Sequence, residues 1–195
     1  IEESGDLDFL EEQIPFAPHD GDDNEDASVL KHLIRATDFS LRNMSERGIP
    51  QLMIGDWNDA LSGGRLGKGE SFLVAGLLAY NLKRIVALCR KLKRYDRVEE
   101  YEFAYKRLAE SVSTFGWDGE WFLRATRDHQ KLPIGSAQNE RGKLYLDSNT
   151  WLCISGMAGV YTKKTLDSLW EYLMTKYGAQ LFSPAYKTQD KELGV

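Results

Sequence analysis

Along most of this chain apolar residues recur every three or four positions, the period of a helix that buries one face. Leu30, Leu33, Ile34, Thr37, Leu41 and Met44 form one such stripe, and Ser45 to Gly48 closes the predicted helix with a glycine. From Phe72 to Leu92 the sequence is apolar nearly all round at first, through Leu73, Val74, Leu77 and Leu78, and one-faced later. That profile predicts an inner helix of a layered barrel. Asp96 is the expected opening of a third helix, with Tyr101, Ala104, Tyr105, Leu108 and Val112 as its buried stripe and Gly116 as its end. Two more helices are predicted at Ser148 to Met157 and at Lys163 to Tyr177, the latter with Thr165, Leu166, Leu169, Leu173 and Met174 on its apolar face.

Between these helices the period changes. Pro50 to Ile54 reads as a strand, Asp118-Gly119 as a turn, and Trp121 to Thr126 as a short strand. Helices joined by loops of very unequal length predict a mainly α chain, one domain over residues 1–195, built as an (α/α) barrel whose long loops gather at one end.

A glycine-rich loop between two of these helices carries the candidate chemistry. Residues 55 to 71 read G-D-W-N-D-A-L-S-G-G-R-L-G-K-G-E-S, with two carboxylates (Asp56 and Asp59), an indole (Trp57) and an amide (Asn58) in four positions. An aromatic ring can stack on the apolar face of a pyranose while a carboxylic acid protonates a glycosidic oxygen. In an extended segment successive side chains alternate faces, which pairs Trp57 with Asp59 and Asp56 with Asn58. Asp59 is therefore the candidate acid, and Asp56 the residue expected to hold the turn by accepting a backbone N–H two residues on. An Asx-rich loop whose Trp fills a core is the competing reading. Glu70 is expected in the first turn of the following helix, where a carboxylate suits the positive helix end. Asp147-Ser148-Asn149-Thr150-Trp151 is a second cluster, either a helix cap with Trp151 packed behind it or support beneath a donor-sugar site.

Motifs spread along the chain sharpen this picture: E-S-G-D at Glu3 to Asp6, G-I-P-Q-L-M-I-G-D-W-N-D-A at Gly48 to Ala60, and G-K-G-E-S at Gly67 to Ser71. Then follow G-W-D-G-E-W-F-L-R-A at Gly116 to Ala125, I-G-S-A-Q-N at Ile134 to Asn139, K-L-Y-L-D-S-N-T-W at Lys143 to Trp151, and Y-G-A-Q-L-F-S-P-A-Y at Tyr177 to Tyr186. Together they resemble the inverting glycoside phosphorylases that include cellobiose, chitobiose and cellodextrin phosphorylases, with the catalytic region of cyclic β-1,2-glucan synthases as a more distant relative. The resemblance implies an (α/α)6 barrel of which this chain supplies about half. It also implies Asp59 as general acid, Trp57 as the lining of the donor-sugar subsite, and Asp56 and Asn58 as neighbouring substrate-binding residues. Inorganic phosphate would replace water as the attacking group, releasing a sugar 1-phosphate of inverted configuration, with no other cofactor. The partners it implies are an oligosaccharide, phosphate, the remainder of a longer parent chain, and a second copy in a homodimeric full-length enzyme. The family's phosphate-binding residues would follow Val195, and its arginine and acidic donor-site residues would precede Ile1. Val195 itself stands where cellobiose-type members carry a Glu near the site, a departure that bears on sugar preference. An inverting hydrolase on the same barrel and a non-catalytic sugar-binding or scaffold piece are the alternatives.

Charge and composition narrow the remaining classes. The 195 residues hold 25 Lys and Arg against 30 Asp and Glu, a net charge of −5, which argues against a nucleic-acid footprint or a polybasic membrane patch. The apolar stretch from Phe72 to Leu82 is interrupted by Asn81 and falls short of the ~18 to 20 residues of a membrane helix. Basic residues Lys83, Arg84, Arg90, Lys91, Lys93 and Arg94 stand opposite acidic Glu99, Glu100 and Glu102, as in a solvated helix pair of complementary charge. Cys89 and Cys153 sit in apolar helical patterns and are expected as buried free thiols, which fits a cytoplasmic protein. The acidic run from Asp20 to Asp26 lacks the Gly at position six and the Glu at position twelve of a calcium loop. His19, His32 and His129 show no metal-ligand spacing, and Cys153 has no partner signature of a nucleophile.

Overall fold

Twenty residues from Phe72 to Lys91 form α2, around which the longer part of the chain is arranged. The computed structural model describes residues 1, 3–17, 25–58, 61, 64, 66–129 and 133–188. They fall into two units, Ile1–Arg42 and Asn43–Val195.

In the first unit, β1 (Gln13–Pro15) pairs antiparallel with β2 (Asp26–Ser28), and α1 (Val29–Arg42) follows directly. The Ser28 hydroxyl accepts the Lys31 N–H at 3.2 Å and satisfies one of the free donors of the first turn. Leu30 and Thr37 are buried, whereas Leu33 is 42% exposed, so the predicted stripe is narrower than its spacing implied. Met44 lies beyond the helix, and Gly48 belongs to a separate turn in which its N–H donates to Ser45 O at 2.9 Å.

In the second unit α2 packs against α3 (Tyr95–Phe115) and α4 (Leu146–Ser155), and α4 in turn meets α5 (Thr162–Leu173). At its start α2 buries Phe72, Leu73, Ala75, Gly76, Leu78 and Ala79 over a broad arc, with Val74 and Leu77 half-buried, and farther on it buries Leu82, Ile85, Val86 and Cys89 on one side, as an inner element requires. By length and composition α2 would also span a membrane, yet 56% of that window is buried within the protein. Gly76 makes the approach to α4 possible: a Cβ there would stand 2.9 Å from the Trp151 carbonyl carbon.

Several boundaries move for identifiable reasons. Asp96 does not cap α3; the helix starts one residue earlier, and the carboxylate sits in its first turn. Helix α4 begins at Leu146, with Tyr145 at its N-cap, so Asp147 and Ser148 lie inside it. Helix α5 stops at Leu173, where the chain enters a hairpin of β4 (Met174–Thr175) and β5 (Gly178–Ala179). The predicted strand at Trp121 to Thr126 is a run of single bridges, Phe122 to Trp117 and Ala125 to both Ser71 and Ile134. Pro50 to Ile54 is likewise no strand, because Met53 turns into the left-handed region at φ 54°. A final pairing of β3 (Leu144–Tyr145) with β6 (Phe182–Ser183) brings Phe182 and Tyr186 against Leu52, Leu61, Ala125, Ile134 and Tyr145. This second unit is helical with short strands, and its small apolar cluster takes in Leu52 and Leu61, which flank Asp56 and Trp57 in sequence.

Candidate active site

Arg124 is the largest fully buried side chain among the described residues. Its guanidinium donates through Nη1 to Asp56 Oδ2 at 2.6 Å and through Nη2 to Asp56 Oδ1 at 2.7 Å, a bidentate pair with neither side chain above 1% exposure. Nε donates to Asp147 Oδ2 at 3.0 Å. A charge this deep requires pairing, and here one cation is shared by two anions. Its backbone is held as firmly: Arg124 N donates to Ile134 O at 2.8 Å, and its carbonyl accepts the Phe72 N–H at 3.2 Å. Gly135 closes over it with φ +84°, and a Cβ there would lie 2.6 Å from Arg124 N. Only glycine fits a left-handed position so close to another backbone.

The Asp56 carboxylate is turned inward. Besides Arg124 it accepts the Ser71 hydroxyl at 2.5 Å and the Asn58 N–H at 3.1 Å, the latter two residues on. The chain bends at Asp56 and Trp57, so the extended geometry behind the face alternation does not hold there. Trp57 projects outward with 68% of its surface exposed and fills no core. Asn58 is half-buried, and its carbonyl accepts the Leu61 N–H at 2.9 Å. Asp59, the expected acid, lies outside the described residues.

Two carboxylates anchor the flanks of this loop. Asp128 accepts the N–H groups of Leu66, Lys68 and Gly69 at 2.7, 2.8 and 3.0 Å, fixing the far end of the glycine-rich segment. Glu70 is buried rather than placed at the helix end. It accepts the Ser45 hydroxyl at 2.6 Å and Arg47 Nε at 3.0 Å, and its N–H donates to Thr126 Oγ1 at 3.0 Å. The hydroxyl of Ser71 caps α2 by accepting the Val74 N–H at 3.1 Å, so one side chain serves both the helix and Asp56.

Electrostatics separate the two anions of the clamp. Burial pushes Asp56 upward, but the Arg124 hydrogen bonds and charge, with Ser71 and Asn58, overcome it and hold its carboxyl below the ordinary value. At Asp147 burial prevails over the single Arg124 contact and the Ser148 N–H, and the carboxyl is raised. Burial works against the charge on Arg124 itself, and the two carboxylates more than restore it.

Of the remaining candidates, His32, Arg90 and Glu25 have partners of their own. His32 stacks on Phe16 with ring centroids 3.8 Å apart and meets Ile14 O at 3.1 Å, a packing role within the first unit. Cys89 is buried and Cys153 half-buried, both free, and burial pushes the Cys153 thiol up to about 11. Arg90 pairs with Glu102 across α2 and α3, as the charge pattern implies. Of the acidic run, Glu25 binds Lys31 at 2.6 Å and Arg35 at 3.4 Å, while residues 20–24 lie outside the described residues, as do His19 and Val195. Among the described residues no three His, Cys, Asp or Glu side chains form a group that would hold a metal ion. Arg124 escaped the sequence reading, although a lone arginine inside the apolar run W-F-L-R-A is itself a signal, since a buried arginine demands anionic partners.

Comparison with known proteins agrees with the motif pattern. The family described as glycosyl hydrolase 94 superfamily, catalytic domain, matches residues 1–195. An N,N'-diacetylchitobiose phosphorylase of Vibrio furnissii is 34% identical over all of this chain and 24% of its own length. A solabiose phosphorylase of Paenibacillus borealis is 34% identical over all of this chain and 25% of its own length. A cyclic β-(1,2)-glucan synthase of Rhizobium meliloti is 27% identical over 98% of this chain and 7% of its own length. The chain thus spans about a quarter of the phosphorylases it matches, and it belongs to the glycosyl hydrolase 94 superfamily as a portion of the catalytic domain.

Proposed function

We propose that the polypeptide containing this chain is an inverting glycoside phosphorylase acting on a β-linked gluco-oligosaccharide, with Asp59 as general acid and Trp57 as the sugar platform. The observation that carries the reading is the exposed Trp57 indole beside an inward-turned, ion-paired Asp56. A loop anchored on one side of the bend and presenting an aromatic face on the other is suited to stack a pyranose while the next carboxylate reaches the glycosidic oxygen. The phosphorylase relatives support phosphate as the co-substrate. One protein carboxylate then suffices, because phosphate is a competent nucleophile, whereas hydrolysis requires a second carboxylate about 6.5 to 9.5 Å away to activate water. The remainder of an (α/α)6 barrel would supply the phosphate site and the other sugar contacts, in a cytoplasmic homodimer that needs no further cofactor.

Incubating the parent polypeptide with β-linked disaccharides, with and without inorganic phosphate, tests this. Phosphate-dependent release of an α-configured sugar 1-phosphate, followed by phosphorus and proton NMR, is expected. Release of free sugar at the same rate without phosphate would assign hydrolysis instead, and no turnover would support a binding or scaffold role.

A further inference from the structure

We propose that Arg124 is the positioning residue of the site: it fixes the segment that carries Trp57 and leads into Asp59 by clamping Asp56 to the starts of two helices. The inference rests on the proposed phosphorylase reading for its kinetic part and on geometry alone for its structural part. Two segments distant in sequence meet on the one guanidinium, and a third is tied to it through Asp56. Asp56 comes from the loop, Asp147 from the first turn of α4, and Ser71 joins from the N-cap of α2 through the shared Asp56 Oδ2. The fork geometry matters, because two parallel N–H donors fix both the position and the plane of the Asp56 carboxylate, which a lysine ammonium cannot do. The Asn58 N–H hangs on the same carboxylate at 3.1 Å, so the plane of Asp56 sets the bend at Trp57. Arg124 cannot follow a moving loop, since its backbone is bonded to Ile134 and Phe72 and overlain by Gly135. It touches no substrate and acts through Asp56.

The test is Arg124→Lys, which keeps the charge and removes the fork, with Asp56→Asn as a second variant should the first fail to fold. In the parent polypeptide, amide hydrogen exchange over residues 55–58 should rise at least tenfold in either variant, while the core of α2 around Leu82 to Val86 keeps its protection. A displacement of about 1 Å costs on the order of 10²-fold in rate. Turnover of the natural substrate should fall by that order, whereas an aryl β-glycoside whose leaving group departs without protonation should lose less than a tenth as much. Unchanged exchange at 55–58, exchange that rises equally throughout α2, or equal losses on the two substrates would overturn the positioning role. Should the wild type show no phosphate-dependent turnover while the exchange pattern appears as expected, the phosphorylase reading fails and the clamp stands.

Discussion

Replacing Arg124 by Met keeps most of the buried volume and removes the cation. What remains is the Asp56 carboxylate at 1% exposure and that of Asp147 at 11%, both without their counter-charge. Three charge-assisted hydrogen bonds at 2.6, 2.7 and 3.0 Å disappear. Breaking one partner of a buried pair costs about 3 to 5 kcal/mol, because the other charge is left desolvated. With an m-value of about 2 kcal/mol/M in urea, a loss of about 4 kcal/mol lowers the midpoint by about 2 M. Trp121 is a suitable reporter, since it is buried and its Nε1 donates to Gly135 O and Lys143 O, both at 2.9 Å. The double variant Arg124→Met with Asp56→Asn should recover part of the loss, with a coupling of at least about 1 kcal/mol, because neutralising Asp56 removes the stranded charge. A single variant costing under about 1 kcal/mol, or a double variant equal to the sum of its parts, would refute the reasoning that this pair is buried and mutually dependent.

Gly76→Ala should destabilise by urea denaturation, although the same change in an exposed helix interior gains about 0.5 to 1 kcal/mol, because its Cβ would press on the Trp151 backbone at 2.9 Å. Trp57→Ala should leave the unfolding free energy from urea denaturation within about 0.5 kcal/mol of wild type, since the ring is 68% exposed, and should weaken sugar binding in titration calorimetry. Asp56 is depressed below 3.8, so the stability it contributes is full above that value and is lost only as pH falls through its lower folded pKa. Asp147 is raised, so its contribution has the opposite sign and is lost as pH rises through its folded value; Asp147→Asn should therefore cost less at pH 7 than Asp56→Asn.

The long helices were legible because their own packing dictates their period. The buried residues of α3, namely Val98, Tyr101, Leu108 and Val112, repeat at helical spacing, and Gly116 ends the helix where expected. The segments between helices were not, because partners far along the chain decide them. Trp121 to Thr126 has strand-like residues, yet Ala125 bridges Ser71 and Ile134 singly instead of joining a continuous ladder. Glu70 reads as a first-turn carboxylate until Arg47 and Ser45 draw it into the interior. Asp56 could be given its Asn58 bond from spacing, but its bidentate partner lies 68 residues away, beyond any local pattern. The face alternation assumed an extended segment where the chain in fact bends; Asp56 nonetheless turns inward and Trp57 outward, while Asp59 lies outside the described residues.

The most direct test of Asp59 as the acid on this clamped loop compares Asp59→Asn with wild type on two substrates in phosphorolysis: the natural β-linked disaccharide and an aryl β-glycoside whose leaving group needs no proton. General acid catalysis contributes about 10² to 10⁴ in rate, so the variant should lose at least that much on the disaccharide and far less on the aryl glycoside. Equal losses on both substrates would contradict the assignment and move the acid to another carboxylate.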